Sequence, residues 1–286
     1  NEDFKGRFTP RATALVRLAK DNNLRFSYQT AYRFPSTQQK YIRLRLAEYT
    51  LLGGLPWVMD YMNAYKNPVV ELDGGIPGST PYAYKELKPE SVQSFEIGYK
   101  GLIQNKLLID VYGYWGRYQD FLGRNVLLQP ATGNVYSTVV NSSTKVKSYG
   151  FGLGFDYLLT KKVSLFANAY SDELTNLPTG FQAYFNTPKY RANAGITANG
   201  FAKNERLGFS IMCRWQDAFY SDGDLASGSV SAFSTVDAVV SYKVAPIKST
   251  FKIGGTNILN HYYKNAFANP EVGGIYYVSY AYNLAR

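Results

Sequence analysis

The stretch LRFSYQTAYRF, residues 24–34, decides the fold class, because apolar and polar side chains alternate along it. The apolar set is Leu24, Phe26, Tyr28, Thr30, Tyr32 and Phe34. The more polar set is Arg25, Ser27, Gln29, Ala31 and Arg33. A β-strand turns successive side chains to opposite faces, so this stretch predicts a strand with one apolar and one polar surface.

The same period of two recurs along the whole chain and predicts an all-β protein. It defines eleven segments, at 9–18, 24–34, 91–101, 106–117, 147–158, 163–171, 188–199, 206–216, 232–243, 249–258 and 275–284. The last segment places one set of side chains on a single face: Tyr276, Val278, Tyr280, Tyr282 and Leu284. A soluble β-sandwich also alternates, but strands of about ten residues exceed its usual length of about 5–6. Aromatic residues at the ends of the apolar faces favour a transmembrane antiparallel β-barrel.

The connections between these segments alternate between short and long. The short ones lie near 19–23, 102–105, 159–162, 200–204 and 244–248, and the long ones near 35–90, 118–146, 172–187, 217–231 and 259–274. Outer-membrane barrels have short periplasmic turns and long extracellular loops. With that orientation, the first and last strands both run inward. Such a barrel starts in the periplasm and has an even strand count, so residues 1–286 are expected to be the C-terminal part of a single larger barrel domain.

The composition excludes several other classes of protein and site. The 286 residues carry a formal charge of +10 but contain one cysteine and one histidine, Cys213 and His261. These numbers exclude a thiolate zinc site and a histidine-cluster metal site, so we expect no metal and no cofactor. The cations are dispersed without a run of five, which argues against nucleic acid as a partner.

Enzymatic and calcium-binding interpretations have little support in the sequence. No GxSxG motif occurs, and His261 lies in a connection, so no nucleophile–base pair can be assigned. Asp222 and Asp224 lie in the glycine-rich segment SDGDLASG (221–228), which lacks the spacing of an EF-hand. We expect this segment to be a solvated loop.

Three motifs in order resemble one family. FTPRATALVRLAKDNNLRFSYQTAYRFPS (8–36) is similar to paired strands of TonB-dependent outer-membrane receptors that end in an aromatic-Arg-x-Pro turn. LKPESVQSFEIGYKG (87–101) and GTNILNHYY (255–263) resemble two further elements of that family. The matching residues are Tyr32, Arg33, Phe34, Pro35, Lys88, Pro89, Glu90, Glu96, Gly98, Tyr99, Asn257 and Asn260. The chain therefore resembles the C-terminal half of such a receptor's barrel.

The resemblance carries expectations about fold, location and partners. It implies a 22-stranded barrel, of which about eleven strands are present, in the outer membrane of a Gram-negative bacterium. An N-terminal plug, the remaining strands and the TonB complex would be partners, together with lipopolysaccharide and outer-membrane lipid. YRFPSTQQKYIRL and GGLPWVMDYMN are most similar to receptors with a carboxypeptidase-regulatory-like N-terminal domain, and a surface lipoprotein is a further candidate partner. The implied function is energised import of a scarce nutrient. The alternative is a non-energised porin or surface scaffold.

The long connection at 35–90 supplies most of the candidate ligand-binding residues. With one arginine at the end of the preceding strand, they are Arg33, Arg43, Arg45, Trp57, Tyr61, Tyr65, Tyr82 and Tyr84. Aromatic rings and arginines suit stacking on sugars or binding of anionic groups. The alternative is that they pack the loop on itself or contact lipopolysaccharide. Residues 45–55 are expected to form a short amphipathic helix in this loop.

The cations on the polar face leave two interpretations open. They are Arg25, Arg33, Arg191, Arg206 and Arg214. They either favour an anionic ligand or form ion pairs across the lumen with Glu96, Asp110, Asp156 and Asp237, or with the plug.

Overall fold

The computed structural model describes residues 6–202 and 205–283, and an antiparallel sheet of eleven strands dominates them. The strands of the chain are β1 (Arg11–Ala19), β2 (Asn22–Arg33), β3 (Arg43–Arg45), β4 (Thr50–Leu52), β5 (Val70–Asp73), β6 (Ile76–Pro81), β7 (Glu90–Ile103), β8 (Leu107–Gln119), β9 (Leu122–Gln129), β10 (Asn134–Asn141), β11 (Lys147–Thr160), β12 (Val163–Thr175), β13 (Tyr190–Phe201), β14 (Leu207–Gln216), β15 (Phe219–Ser221), β16 (Gly228–Val230), β17 (Phe233–Val244), β18 (Ser249–Thr256) and β19 (Ile275–Tyr282). The helices within the described residues are α1 (Thr37–Tyr41), α2 (Trp57–Tyr61) and a 3-10 turn at Ala245–Ile247.

The large sheet follows the order β1-β2-β7-β8-β11-β12-β13-β14-β17-β18-β19. Each predicted segment matches one of these strands, so the prediction of eleven long antiparallel strands is confirmed. The sheet is open, since β1 and β19 each have a single neighbour within the described residues. Leu284 and part of the turn at 200–204 lie outside those residues.

One face of the large sheet is apolar and uncovered. Large hydrophobic side chains on it remain exposed by 38–78%, among them Phe26, Phe95, Ile97, Trp115, Phe151, Ile211, Trp215, Ile253, Tyr276, Val278, Tyr280 and Tyr282. Cys213 is also exposed on this face. A soluble sheet would bury such a surface against a second layer, because each Å² left in water forgoes about 25 cal/mol. A face of this kind requires lipid. We call it the outer face.

The opposite, inner face carries ion pairs between neighbouring strands. Arg25 Nη2 lies 2.7 Å from Glu96 Oε1, and Arg214 pairs with Asp237. Both acids belong to the set named for the pairing interpretation, but each pair joins adjacent strands and does not cross the lumen. Other partners differ from the prediction. Arg33 pairs with Glu90, Arg191 with Asp172, and Asp110 with Lys100.

Glycines on the inner face of β11 make room for tyrosines of β8. The Tyr114 hydroxyl donates to Asp172 on β12 and must cross β11 to do so. A Cβ at Gly150 would lie 2.8 Å from Tyr114 Cε1, and one at Gly152 would lie 2.3 Å from Tyr112 Cε1. The alternation of glycine and large residues seen in the sequence thus lets the tyrosine rings lie flat across the strand.

The first two long connections fold together into a second sheet, which we call the surface subdomain. Its strand order is β3-β4-β10-β9-β5-β6. Its core contains Leu52, Val58, Met59, Met62, Ala64, Val69, Leu127 and Tyr136. In the described residues no helix is long and apolar enough to cross a bilayer.

The helix expected at 45–55 is wrong. Residues in this stretch form β4 and part of β3 instead, and β4 also pairs in parallel with β10. Leu51 and Leu52 become 1% and 0% exposed in this arrangement. Non-local strand pairing and burial outweigh the local preference for helix.

A charged substitution should destabilise the protein on the outer face and be tolerated on the inner face. Phe26→Arg on the outer face should lower the free energy of unfolding from a bilayer by about 2–4 kcal/mol, because the charge meets lipid near the middle of a strand. Ser27→Arg, one residue away on the inner face opposite Glu96, is the matched control and should have little effect. Urea unfolding of the full-length protein in lipid vesicles measures both. Equal losses for the two variants would contradict the assignment of faces.

Candidate functional site

The candidate site is a cavity of about 620 Å³ at the end of the sheet from which the long connections leave. Residues of the first four long connections, with the last residue of β2, line it. They include Arg33, Phe34, Gln38, Gln39, Phe121, Leu122, Arg124, Tyr184, Phe185 and Asp224. Its wall carries arginine and amide donors together with aromatic rings, which suits a polar ligand with some flat apolar surface.

Arg124 of β9 is the central cation beside this cavity and is 5% exposed. Its Nη1 donates to the carbonyl oxygens of Leu52 and Ser137, at 3.1 Å each. Its Nε lies 3.3 Å from Asp224 Oδ1. A buried guanidinium needs such partners, because an unpaired buried charge is strongly destabilising.

Asp224, in the fourth long connection, bonds residues of the first and third long connections beside Arg124. The Tyr184 hydroxyl donates to Asp224 Oδ1 at 2.8 Å, and the Tyr49 hydroxyl donates to the Asp224 carbonyl. Burial, reinforced by the hydrogen bond to Asp224, raises the pKa of Tyr184. Tyr184 therefore remains a neutral donor throughout the physiological pH range.

Asp222 ties the third and fourth connections together a second time. Its Oδ2 accepts from the Tyr184 backbone N–H at 3.0 Å, and its backbone N–H donates to Asn186 Oδ1 at 2.7 Å. Burial raises the pKa of Asp222, and backbone hydrogen bonds from Tyr184 and Ala183 oppose the shift.

We call this set the four-loop node; it consists of Tyr49, Arg124, Tyr184, Asp222 and Asp224. The expectation of a solvated loop at 221–228 is wrong for its two acids, because Asp222 and Asp224 are half-buried and bonded, whereas Leu225 and Ala226 are exposed. Within 6–202 and 205–283, no three His, Cys, Asp or Glu side chains are grouped so as to hold a metal ion.

The structure separates the predicted ligand residues into three groups. Trp57, Tyr82 and Tyr84 pack against the core of the surface subdomain, and burial raises the pKa of Tyr82 to about 12. Of the eight candidates, Arg33 lines the cavity. Ligand binding by these residues stays a prediction.

The remaining candidates lie on the surface of the subdomain. The Arg43 guanidinium lies 5.5 Å from the centroid of the Tyr61 ring. Arg45 is exposed, and Tyr65 is 76% exposed. This group is accessible from outside the cavity.

Arg124 and Tyr184 were not predicted from the sequence, and Asp224 was expected to be solvated. No local motif identifies these residues. Arg124 lies within a strand that has no functional motif, and Tyr49 and Asp224 are 175 residues apart in the chain. The only available signal was an acidic pair in a long connection.

The first two motifs fix the strand ends next to the cavity and the inner face beneath it. Tyr32 and Phe34 pack edge to face at 5.0 Å, and Pro35 and Pro89 are buried. The buried Glu90 carboxylate accepts from Arg33 at 2.9 Å and from the Leu122 N–H at 2.8 Å.

The rest of the second motif also serves structural contacts. The Lys88 N–H donates to Asn141 Oδ1 at 2.7 Å. Gly98 lies beside the Arg25 guanidinium that pairs with Glu96. The Tyr99 hydroxyl donates to Asn22 Oδ1 at 2.5 Å.

The third motif forms a tight turn after β18. Asn257 and Asn260 both adopt left-handed backbone conformations, with φ of 50° and 52°. The Asn257 side chain bonds the backbone of His261 through both its oxygen and its nitrogen. Asn260 Oδ1 accepts from the Gly274 N–H at 2.8 Å and so closes the last long connection.

Residues 1–260 match the family described as TonB dependent receptor-like, beta-barrel. The chain belongs to this family. No curated protein matches it.

Solved structures with the same fold include the copper transporter OprC, 16% identical with a TM-score of 0.64, covering 94% of this chain and 38% of that one. The siderophore receptor PirA from Acinetobacter baumannii is 16% identical with a TM-score of 0.63, covering 95% of this chain and 40% of that one. The FrpB iron transporter from Neisseria meningitidis is 15% identical with a TM-score of 0.58, covering 96% and 39%. The chain thus spans less than half the length of these structures.

The four-loop node generates the second prediction. Arg124→Met should release the fourth long connection, because Asp224 loses its cation and two buried carbonyls lose their donor. Hydrogen bonds to charged groups contribute about 1.5–3 kcal/mol each. Hydrogen–deuterium exchange of residues 217–231 should accelerate about tenfold or more.

Arg43→Met is the matched control for that experiment. It removes an exposed arginine from the same surface subdomain and should leave the exchange of 217–231 unchanged. Slow exchange retained in the Arg124→Met variant would show that the node does not hold the connection.

Proposed function

We propose that this chain is the C-terminal part of the barrel of a TonB-dependent outer-membrane receptor. The receptor binds a scarce nutrient outside a Gram-negative cell and imports it into the periplasm with energy from the inner membrane. The family match and the open eleven-stranded sheet support this proposal. The remaining strands, an N-terminal plug and the TonB complex are the partners it requires.

The observation that carries the proposal is the convergence of four long connections on one cavity. The short turns lie at the opposite end of the sheet, as in outer-membrane barrels whose long loops are extracellular. The first, third and fourth of these connections are held at fixed relative positions by the Arg124 side chain and Asp224 on the wall of the cavity. A rigid scaffold that gathers loops around a pocket is the usual arrangement for binding.

The cavity wall indicates the kind of ligand. Arg33 and Gln38 offer donors for carboxylate, carbonyl or hydroxyl oxygens, and Phe34 and Phe185 offer aromatic surface. Iron chelates, cobalamin, oligosaccharides and peptides all combine such polar groups with apolar surface. The structural neighbours transport copper or iron or bind siderophores, which favours a scarce metal or its chelate as cargo.

The surface subdomain supplies a second contact area. Arg43, Tyr61 and Tyr65 point away from its core and are exposed. We assign to them contacts with lipopolysaccharide or with a surface lipoprotein that delivers the nutrient. The chemistry proposed is binding and translocation, with no bond made or broken in the cargo.

Growth on single nutrients tests the import function. A deletion strain should fail on one ferric chelate, cobalamin, oligosaccharide or peptide, and the full-length gene should restore growth. Uptake of that nutrient should stop when a protonophore collapses the proton gradient. Uptake that continues would instead favour a non-energised porin.

The cavity is tested in the same strain. Gln38→Ala should raise the apparent Kd for the imported nutrient about threefold to tenfold, the effect of one lost hydrogen bond. Gln119→Ala removes an exposed glutamine at the end of β8 and serves as the control. Equal effects of the two substitutions would place the ligand elsewhere.

A further inference from the structure

Two cations depart from the sorting of charges between the two faces of the large sheet. Arg117 lies two residues from Trp115 on β8, and Lys147 lies two residues from Tyr149 on β11. Side chains two residues apart on a strand lie on the same face, which here is the outer face. The register places every other lysine and arginine of the eleven strands on the inner face: Arg11, Arg17, Arg25, Arg33, Lys100, Arg191, Arg214, Lys243 and Lys252. Arg117 and Lys147 are therefore the outward-facing strand cations, and both are exposed.

These two cations also face each other directly. Arg117 and Lys147 are Cα partners in the antiparallel ladder, which brings their Cβ atoms within about 4.5–5.5 Å. Like charges in directly opposed positions repel and destabilise a sheet. In the part of the chain that the structure describes, no carboxylate lies within ion-pair distance of either side chain.

The acid nearest to them on the outer face is already engaged. Glu173 is the ladder partner of Tyr149. Its Oε2 lies 2.7 Å from Lys189 Nζ. Glu173 and Lys189 neutralise each other, so no described residue compensates the charge of Arg117 and Lys147.

The surroundings of the pair are those of a lipid headgroup boundary. Trp115 and Tyr149 lie one outer-face position further along the strands, toward the short turns, and are 41% and 42% exposed. Amphipathic rings of this kind sit at the headgroup level of membranes. From Trp115 a groove of about 670 Å³ extends on the outer face across β7 and β2 to β1, lined by Ala12, Phe26, Phe95, Ile97 and Trp115.

We propose that Arg117 and Lys147 bind a phosphate group of an anionic lipid in the outer leaflet, and that an acyl chain of this lipid lies in the groove. The placement rests on the outer-membrane location proposed above. A guanidinium fork binds two phosphate oxygens, and the ammonium adds a point charge. One phosphate placed between the two side chains converts their repulsion into attraction to a shared anion.

Lipid binding by the full-length receptor in phosphatidylcholine nanodiscs tests this proposal. The probe is diphosphoryl lipid A, counted by native mass spectrometry across a titration. The R117Q/K147Q double variant should raise the apparent Kd about tenfold or more, and K147Q alone about threefold to fivefold. Binding to the wild type should weaken as salt is added.

The matched control is K243Q/K252Q, which removes the same charge from the inner face and should leave lipid A binding unchanged. If the two double variants weakened lipid A binding equally, the effect would depend only on net charge, and the proposal would be overturned. Displacement of lipid A by millimolar inorganic phosphate would also overturn it, because the site would then belong to a soluble anion.

Nutrient uptake separates this inference from the proposed function. R117Q/K147Q should transport at the wild-type rate in cells, which also shows that it folds and inserts. Loss of lipid A binding with normal uptake supports the site. Normal lipid A binding by this variant overturns the site without affecting the import proposal.

Discussion

The structure depends on a backbone ladder whose two faces must meet different surroundings. In the large sheet every strand hydrogen-bonds its neighbours, so the backbone is satisfied without water except at the two edge strands. Successive side chains of each strand alternate between the two faces, with hydrophobic residues exposed on the outer face and ion pairs on the inner face. An apolar face of this extent is stable only against lipid, and the charged face only against water or other polar protein.

The long connections must satisfy their backbone hydrogen bonds outside the large sheet. A long segment lying over a sheet must satisfy its own backbone groups, and the first two connections do so by pairing into the six-stranded surface subdomain. The four-loop node then anchors the third and fourth connections to it through one buried guanidinium and its acidic partner. The cavity lies between these connections, next to the node that joins them.

The sequence predicted the parts of the fold that have a local signature. Alternation located all eleven strands of the sheet, and the inner and outer sets of residues 24–34 occupy the expected faces, with Arg25 bonded to Glu96 and Phe26 exposed. The surface subdomain escaped prediction because its pairings are non-local. β4 joins β10 in parallel, with Thr50 opposite Tyr136, so a stretch with helical local preference became a strand.

The candidate site was predictable only in part for the same reason. Arg33 was identified because it belongs to a motif at a strand end. Arg124, Tyr184 and Asp224 belong to three different connections, and only the folded chain shows that they meet. Trp57 and Tyr82 were predicted to bind a ligand. An aromatic residue in a long loop can equally pack in a hydrophobic core, and here both pack against the core of the surface subdomain.

The apolar face of the large sheet lies against lipid, and the single cysteine of the chain is a natural reporter of this contact. Cys213 sits on that face beside Trp215 and is exposed. A nitroxide attached to Cys213, in full-length protein without other cysteines in a bilayer, can be examined by electron paramagnetic resonance. We expect strong relaxation by oxygen, which concentrates in lipid, and weak relaxation by a water-soluble nickel chelate. Strong relaxation by the nickel chelate would contradict it.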